Sequence, residues 1–353
     1  MNLKTLRNEI DRIDKVIVTL LNSRNKVILN IAKIKQKIGK DIYVPERESE
    51  VLKKVSRQAS KLMDKESLKA IYREIMSASL KLEKPLSIAY MGPQASFSNL
   101  AALKKFGSQV NYLACPSIAD VFLEVEKGSA DYGVVPIENS IEGAVTHTLD
   151  MLVDSDLKIC SQIILDVAHN LLSNCAKSKI KLVYSNPQVF GQCRIWLQQN
   201  LPYACQVEVA STTRAAQIAS KEKNSACIAS LLAARVYGLG VISQDIEDSP
   251  HNITRFLVIG SNEARVTGKD KTSILFSIKD KVGALHEMLL PFKKNRINLT
   301  KIESRPSKKK AWDYYFFVDL EGHKDEPRIR KALSELDSKC KFMKVLGSYP
   351  TGD

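Results

Sequence analysis

Leu3, Leu6, Ile10, Ile13, Ile17 and Leu20 recur at spacings of three and four, and Val27, Ile31, Ile34 and Ile38 resume the same row. That period lays one apolar stripe along one face of a helix. A helix from about residue 3 to 38 is roughly 50 Å long at 1.5 Å per residue, too long for a module of some 84 residues to cover by itself. The stripe therefore predicts a second copy of the chain packed along it, as a homodimer or a higher homo-oligomer. Two more helices complete the module. One opens at Pro45, a favoured first-turn residue, and one runs from about Asp64 through Leu68, Ile71, Tyr72, Ile75, Ser79 and Leu82.

Polar residues sit at chosen places on these helices. Arg24 fills the stripe between its two runs. Arg24 and Lys35 are about three turns apart and share a face, whereas Arg7 is rotated by roughly 100° from Arg24 and serves best in the pocket of a partner subunit. Ser79 and Glu83 are one turn apart, and "PERESE" offers Arg47 and Glu48 at the start of the second helix. Periodicity alone favours a coiled-coil dimerisation arm with solvated charges, and one basic residue in the stripe speaks only slightly against it.

The net charge of +14 has the sign of a nucleic-acid binder. Its distribution weakens that reading: residues 1–84 carry +9, residues 85–264 carry −3 and residues 265–353 carry +8. Such a division argues for three modules, 1–84, 85–264 and 271–349, with linkers near "LEKPLS" (82–87) and "SNEARVTGKDK" (261–271). No apolar run approaches the roughly 20 residues of a membrane span, and the N-terminus is charged from Lys4 onward, so neither insertion nor export is expected. Seven dispersed cysteines with no CxxC pair suit reduced thiols in a cytoplasm better than disulfides or a metal site.

The middle module alternates short β-rich runs with helical patterns: "LSIAYMG", "YGVVPI", "KLVYS", "VEVAS", "ACIAS" and "TRFLVIG". This order predicts mostly parallel sheets with ligands at the carboxyl ends of strands. Those ends carry "GPQASFS", "PIENSIEG", "SNPQVFGQC" and "STTRAA" beside helix starts, where free N–H groups attract carboxylates. Each alone is an ordinary helix cap; only the recurrence points to a ligand. "SPHNITRFLVIG" adds an arginine at the mouth of a buried run. Unpaired and buried, a guanidinium costs roughly 3 to 5 kcal/mol, so Arg255 requires solvent or an anion.

The first module resembles the all-helical chorismate mutase family in "LRNEIDRIDKVIVTLLNSRNKVILNIAKIKQKIG", "YVPERESEVL" and "IYREIMSASLKLE". The resemblance assigns Arg24, Lys35, Arg47, Glu48, Ser79 and Glu83 to a chorismate pocket, with Arg7 entering from the other protomer. Rearranging chorismate to prephenate needs no base or nucleophile. It needs a dianion held in a near-attack geometry and the charge that develops on its ether oxygen stabilised, by Lys35 and Glu83 in this assignment. Val44 stands where many relatives have Asp, and Glu83 where some have Gln. A glutamate donates to the ether oxygen only when protonated.

Over roughly residues 86–262, "GPQASFS", "VVPIENSIEGAV", "NPQVFGQC", "STTRAA", "AARVYGL" and "NITRFLVIG" together resemble prephenate dehydratase. That family implies two α/β lobes around a cleft, like periplasmic binding proteins. Thr254 matches its key threonine and can hydrogen-bond the departing hydroxyl, Arg255 is expected on a prephenate carboxylate, and Glu138 is the expected proton source. Asn139, Ser140, Gln188, Ser211 and Thr212 are expected to hold substrate. His169 and His251 read as structural, since no metal spacing or nucleophile accompanies either.

"KTSILFSI", "VGALHEMLLPFKKN", "NLTKIESR", "WDYYFFVDL", "EPRIRKALSEL" and "KFMKVLGSY" follow the βαββαβ order of an α+β ferredoxin-like fold. This module resembles the ACT regulatory domain over about residues 271–349. The resemblance makes Gly283, Ala284 and Leu285 ("GAL") and Glu303, Ser304, Arg305 and Pro306 ("ESRP") the phenylalanine-binding segments, with His286 where many relatives have Val. Without a ligand the module would serve oligomerisation alone. The basic run Lys308–Lys310 reads as a solvated turn, not a nucleic-acid site.

The expected protein is a cytoplasmic bifunctional enzyme that uses no metal or organic cofactor and is inhibited by L-phenylalanine. An amino-acid-responsive transcription regulator and a dehydratase with an inactive mutase-like arm are the alternatives. The first is disfavoured because so long a first helix lacks the short turn of a helix-turn-helix.

Overall fold

The computed structural model describes residues 2–38, 43–278, 281–307 and 314–351. Its contacts gather into two compact units, residues 1–86 with 106–111, and residues 87–105 with 112–353. The basic run Lys308–Lys310 lies outside the described residues.

Three helices form the first unit: α1 (Leu3–Lys37), α2 (Pro45–Ser56) and α3 (Lys65–Glu83). Asn2 caps α1 by accepting from the Thr5 N–H, and Asp64 caps α3 by accepting from the Ser67 N–H. No residue of α1 is buried; Leu3, Leu6, Ile10, Ile13, Ile17 and Leu20 all stay exposed. Residues 106–111 close on α3. There Gly107 adopts φ +72°, and a Cβ on it would come within 2.6 Å of the Ser77 Cβ, so glycine is required on both counts.

In the second unit the first lobe is a sheet in the order β2 (Asn111–Cys115), β1 (Ser87–Met91), β3 (Tyr132–Asn139), β11 (Ile253–Gly260), β5 (Lys158–Asp166), with the short β4 (Gly143–Ala144) beside β3. Helices α4 (Phe97–Phe106), α5 (Ile118–Glu126) and α6 (Thr146–Asp154) belong to it. The second lobe is a sheet in the order β10 (Gly240–Ser243), β6 (Asn170–Ser173), β9 (Ser225–Ala229), β7 (Leu182–Ser185), β8 (Cys205–Glu208). Its helices are α7 (Pro187–Gln192), α8 (Arg194–Asn200), α9 (Thr212–Ala219) and α10 (Leu231–Tyr237).

These sheets are mixed, which corrects the expectation of mostly parallel ones. Strands β1 and β3 pair parallel, as do β7 with β8 and with β9, but β11 runs antiparallel to both β3 and β5, and β6 to both β9 and β10. The reason is the path of the chain. It leaves the first lobe after β5, builds the second, and returns through β11 into the middle of the first sheet. Two crossovers result, residues 167–169 and 244–252. They bond each other through Ile246 N–H to the His169 carbonyl at 2.9 Å and Val167 N–H to the Asn252 carbonyl at 2.8 Å.

The chain ends in β12 (Asp270–Ser277), α11 (Ala284–Lys294), β13 (Leu299–Pro306), β14 (Tyr314–Glu321), α12 (Pro327–Asp337) and β15 (Phe342–Pro350). The sheet order β13-β14-β12-β15, antiparallel throughout, is the ferredoxin-like arrangement. Leu275, Phe317, Leu346 and Tyr349 of this sheet share one core with Ile137, Leu149, Leu152, Ile159 and Leu257 of the first lobe. Burying side chains of this size stabilises by roughly 1.5–3 kcal/mol each, enough to join the two as one body. At their closest approach, a Cβ on Gly347 would lie 2.2 Å from the Ile159 carbonyl oxygen, so only glycine lets β15 rest on β5.

Candidate active sites

The helical unit carries a cavity of about 300 Å³, and Arg24, Lys35, Arg47, Glu48, Ser79 and Glu83 all line it. Val44 lines it too. Arg24 donates to Ser79 Oγ, which in turn donates to the Ile75 carbonyl at 2.8 Å. Lys35 Nζ lies 2.8 Å from Glu83 Oε2, and the Tyr43 hydroxyl donates to Glu48 Oε2 at 2.7 Å. Arg47 is exposed and turned to Glu50 at 2.6 Å, so it must swing to meet an anion in the cavity. Lys54 and Arg47 hold the Glu50 carboxyl at about 2. Arg7 is not among the lining residues: it lies on the same helix as Arg24, roughly 25 Å away along the axis.

In the dehydratase-like domain, strand register decides what each residue faces. Thr254 pairs with Asn139 and Arg255 with Glu138 across β11 and β3, and residues directly opposite on antiparallel strands share a face. The Asn139 amide donates to Thr254 Oγ1 at 2.8 Å on one face. On the other, Arg255 meets Glu138 at 3.0 Å, Asp319 at 2.6 Å and the Tyr349 hydroxyl at 2.8 Å, and Lys301 also pairs with Glu138. Asp319, Tyr349 and Lys301 all belong to the ferredoxin-like domain.

Three of the expected residues have partners within the protein. The anion that meets Arg255 is protein: Arg255 is only 6% exposed, and the two carboxylates answer its burial. Glu138, the expected proton source, is paired with two cations. Burial works against its ionisation, but the bonds from Lys301 and Arg255 prevail and hold its carboxyl below the ordinary range. Asn139 is engaged as well: its Nδ2 also donates to Asn252 Oδ1 and its Oδ1 accepts from the N–H groups of Ile141 and Glu142.

Among the other expected residues, Ser140 is committed to the second crossover, donating to the His251 carbonyl and accepting from the Ile253 N–H. Ser211 caps α9, accepting from the Arg214 N–H, and Thr212 is the first residue of that helix. Gln188 is exposed in the first turn of α7, which Asn186 caps. Gln192, one turn further on and half-buried, reaches the first lobe instead: its Nε2 donates to Glu142 Oε1 at 3.1 Å and its Oε1 accepts from Asn252 at 2.9 Å. Gln192 and Asn252 were missed by sequence reasoning. The four-residue spacing of the two glutamines inside "NPQVFGQC" was the available signal for the first, and Asn252 had none.

Gly283 holds φ +79° as the N-cap of α11, with Ala284 buried and Leu285 exposed at its start. Strand β13 has two faces. Ser304 and Pro306 are exposed, while Glu303 and Arg305 point the other way with Lys301. Arg305 pairs with Asp150 of α6 at 2.9 Å, so this part of the expected effector segment is committed to the dehydratase-like domain. Among the described residues no group of three or more His, Cys, Asp or Glu is placed to hold a metal ion, and no helix is long and apolar enough to cross a membrane.

A cation-lined helical cavity, a two-lobed α/β domain with a threonine held at a strand end, and a ferredoxin-like domain joined to it define a multidomain enzyme of small carboxylates. Family models agree with each part: chorismate mutase type II matches residues 6–84, prephenate dehydratase 88–264 and the ACT domain 272–338. The chain is 51% identical over 353 residues to a bifunctional chorismate mutase/prephenate dehydratase of Aquifex aeolicus, covering 99% of this chain and 98% of that one. It is 44% identical to the corresponding protein of Stutzerimonas stutzeri, over 99% and 97%. A solved prephenate dehydratase from Arthrobacter aurescens, in complex with L-Phe, superposes with a TM-score of 0.71 at 31% identity, over 75% of this chain and 90% of that one. The chain belongs to the bifunctional chorismate mutase/prephenate dehydratase family.

Proposed function

We propose that the helical domain rearranges chorismate to prephenate, that the α/β domain converts prephenate to phenylpyruvate, and that L-phenylalanine binds the ACT domain and inhibits. The observation that carries this reading is the single cavity shared by Arg24, Lys35, Arg47, Glu48, Ser79 and Glu83, drawn from three helices. Arginines there bind the substrate's carboxylates and restrict it to the reactive conformer, while Lys35 and Glu83 face its ether oxygen.

The second step breaks the bond to the ring carboxylate, whose electron pair enters the ring as CO₂ departs. The ring hydroxyl leaves with the electrons of its C–O bond and takes up one proton, forming water. Aromatisation drives the step, and the poor leaving group limits it. Thr254 accepts from Asn139, so its own hydrogen is left to donate to that hydroxyl.

The exposed apolar row of α1 supports a second copy of the chain as its cover, with Arg7 of each copy completing the other's cavity. Seven dispersed cysteines with no CxxC pair support a reducing, cytoplasmic location. Incubation of the purified chain with chorismate should show its loss, transient prephenate and then phenylpyruvate. Consumption of prephenate with chorismate untouched would leave a dehydratase on an inactive mutase-like arm.

Effector binding has a route to the dehydratase in β13. Its outward face carries Ser304 and Pro306, and its inward face holds Glu138 through Lys301 and Asp150 through Arg305. Asp150→Asn should weaken phenylalanine inhibition by about fivefold or more, the low end of ordinary coupling, with the uninhibited rate within about twofold. Inhibition curves that superpose on those of the parent would exclude this strand as the route.

A further inference from the structure

The two crossovers between the lobes carry side chains that converge on Thr254 through hydrogen bonds of fixed direction. Backbone sets that direction at one end. Asn139 Oδ1 accepts from the N–H groups of Ile141 at 2.9 Å and Glu142 at 3.0 Å, and a backbone N–H can only donate, so the other end of that amide is Nδ2. Nδ2 donates to Thr254 Oγ1 and to Asn252 Oδ1, both at 2.8 Å. With its oxygen engaged there, Asn252 presents Nδ2 to Gln192 Oε1 at 2.9 Å. His169 Nε2 lies 2.8 Å from the same oxygen, so the imidazole carries its proton on Nε2. Reversing any one amide would set two acceptors or two donors face to face.

His169 is suited to this place. It is 1% exposed, its ring packs edge-on against Phe97, and its Nδ1 has no partner among the described residues. Burial depresses its pKa below the usual imidazole range, despite the Gln192 bond, so the ring stays neutral and its tautomer is single. His169 lies in the first crossover and Asn252 in the second. Gln192 belongs to the second lobe and Asn139 to the first.

We infer that His169 and Asn252 are positioning residues of the dehydratase, holding Thr254 as a hydrogen-bond donor through Gln192 and Asn139 while fixing the second lobe against the first. The inference rests on the dehydratase reading above. Neither residue touches Thr254, so their loss should act on turnover and not on substrate affinity.

The test uses the purified full chain with prephenate and, separately, chorismate. His169→Leu removes the donor, His169→Gln returns an N–H close to the Nε2 position, and Asn252→Ala breaks the relay at its middle. His169→Leu and Asn252→Ala should lower dehydratase kcat by about 10- to 100-fold with KM within about threefold, the size of effect that misplaced catalytic groups produce. His169→Gln should recover most of the loss, and mutase turnover should not move in any variant. Parental kcat in Asn252→Ala would overturn the inference even if His169→Leu failed to fold. So would a His169→Gln enzyme as slow as His169→Leu. A parent chain inactive on prephenate would instead sink the dehydratase reading itself.

Discussion

Thr254→Ala is expected to lower dehydratase turnover by about 100-fold or more while mutase turnover stays within roughly twofold, as loss of a donor used only in the transition state implies. Thr254 is the second residue of β11, and its hydroxyl oxygen already accepts from Asn139 at 2.8 Å. Its remaining hydrogen can stabilise the oxygen as the C–O bond breaks, a charge absent from the bound substrate. KM should therefore change less than kcat. Thr254→Ser keeps the hydroxyl but loses the methyl that restricts its rotamer, and should fall between the two. Saturating prephenate and chorismate, assayed on the same preparation, suffice. Equal loss of both activities would mean that the residue supports folding, and an active Thr254→Ala enzyme would remove it from the chemistry.

Arg255 shows where sequence stops being informative. Its burial and its need for an anion were legible, because a guanidinium before "FLVIG" cannot be left unpaired. Which anion was not. One residue of register separates a strand's two faces, and nothing in "NITRF" says that Thr254 meets Asn139 while Arg255 meets Asp319 and Tyr349, 64 and 94 positions later. Glu138 and Asn139 divide in the same way on β3. Adjacent residues of one motif therefore face two ways, Thr254 and Asn139 toward each other and Arg255 and Glu138 toward the ferredoxin-like domain.

Helices were read more closely than strands. Periodicity placed α1, α2 and α3 within a residue or two, whereas the set of pocket residues came from the family resemblance, and the three helices bring that set to one cavity. In the middle module, β2, β4, β5, β6 and β10 were not identified as strands, although β5 is the edge on which β11 and β15 both rest. "KICSQIILD" is buried along most of its length, with Ile159 in the core shared with the ferredoxin-like sheet, yet its buried residues include Ser161 and Gln162, so neither alternation nor an apolar run marks it. The two domains share a core through contacts far apart in sequence, and local patterns carry no record of those.

Lys35→Ala is expected to lower mutase turnover by about 100- to 1,000-fold, the effect of removing one preorganised donor from a developing negative charge. In the free protein Lys35 and Glu83 hold each other at 2.8 Å, so the substrate's ether oxygen must come between groups that are already positioned. Glu83 is only 7% exposed, and truncating Lys35 leaves its carboxylate without that cation; breaking a buried pair can destabilise by roughly 3–5 kcal/mol. A loss in the single variant is therefore ambiguous between chemistry and stability. Lys35→Ala combined with Glu83→Gln removes the uncompensated charge and separates the two. If the double variant melts like the parent and its mutase turnover stays at least 100-fold down, the ammonium acts on the reacting atoms. Glu83→Gln alone should retain substantial activity, because the amide is a permanent donor. Turnover within about tenfold of the parent in the double variant would take Lys35 out of the stabilising role and leave the arginines to carry the rearrangement by orientation alone.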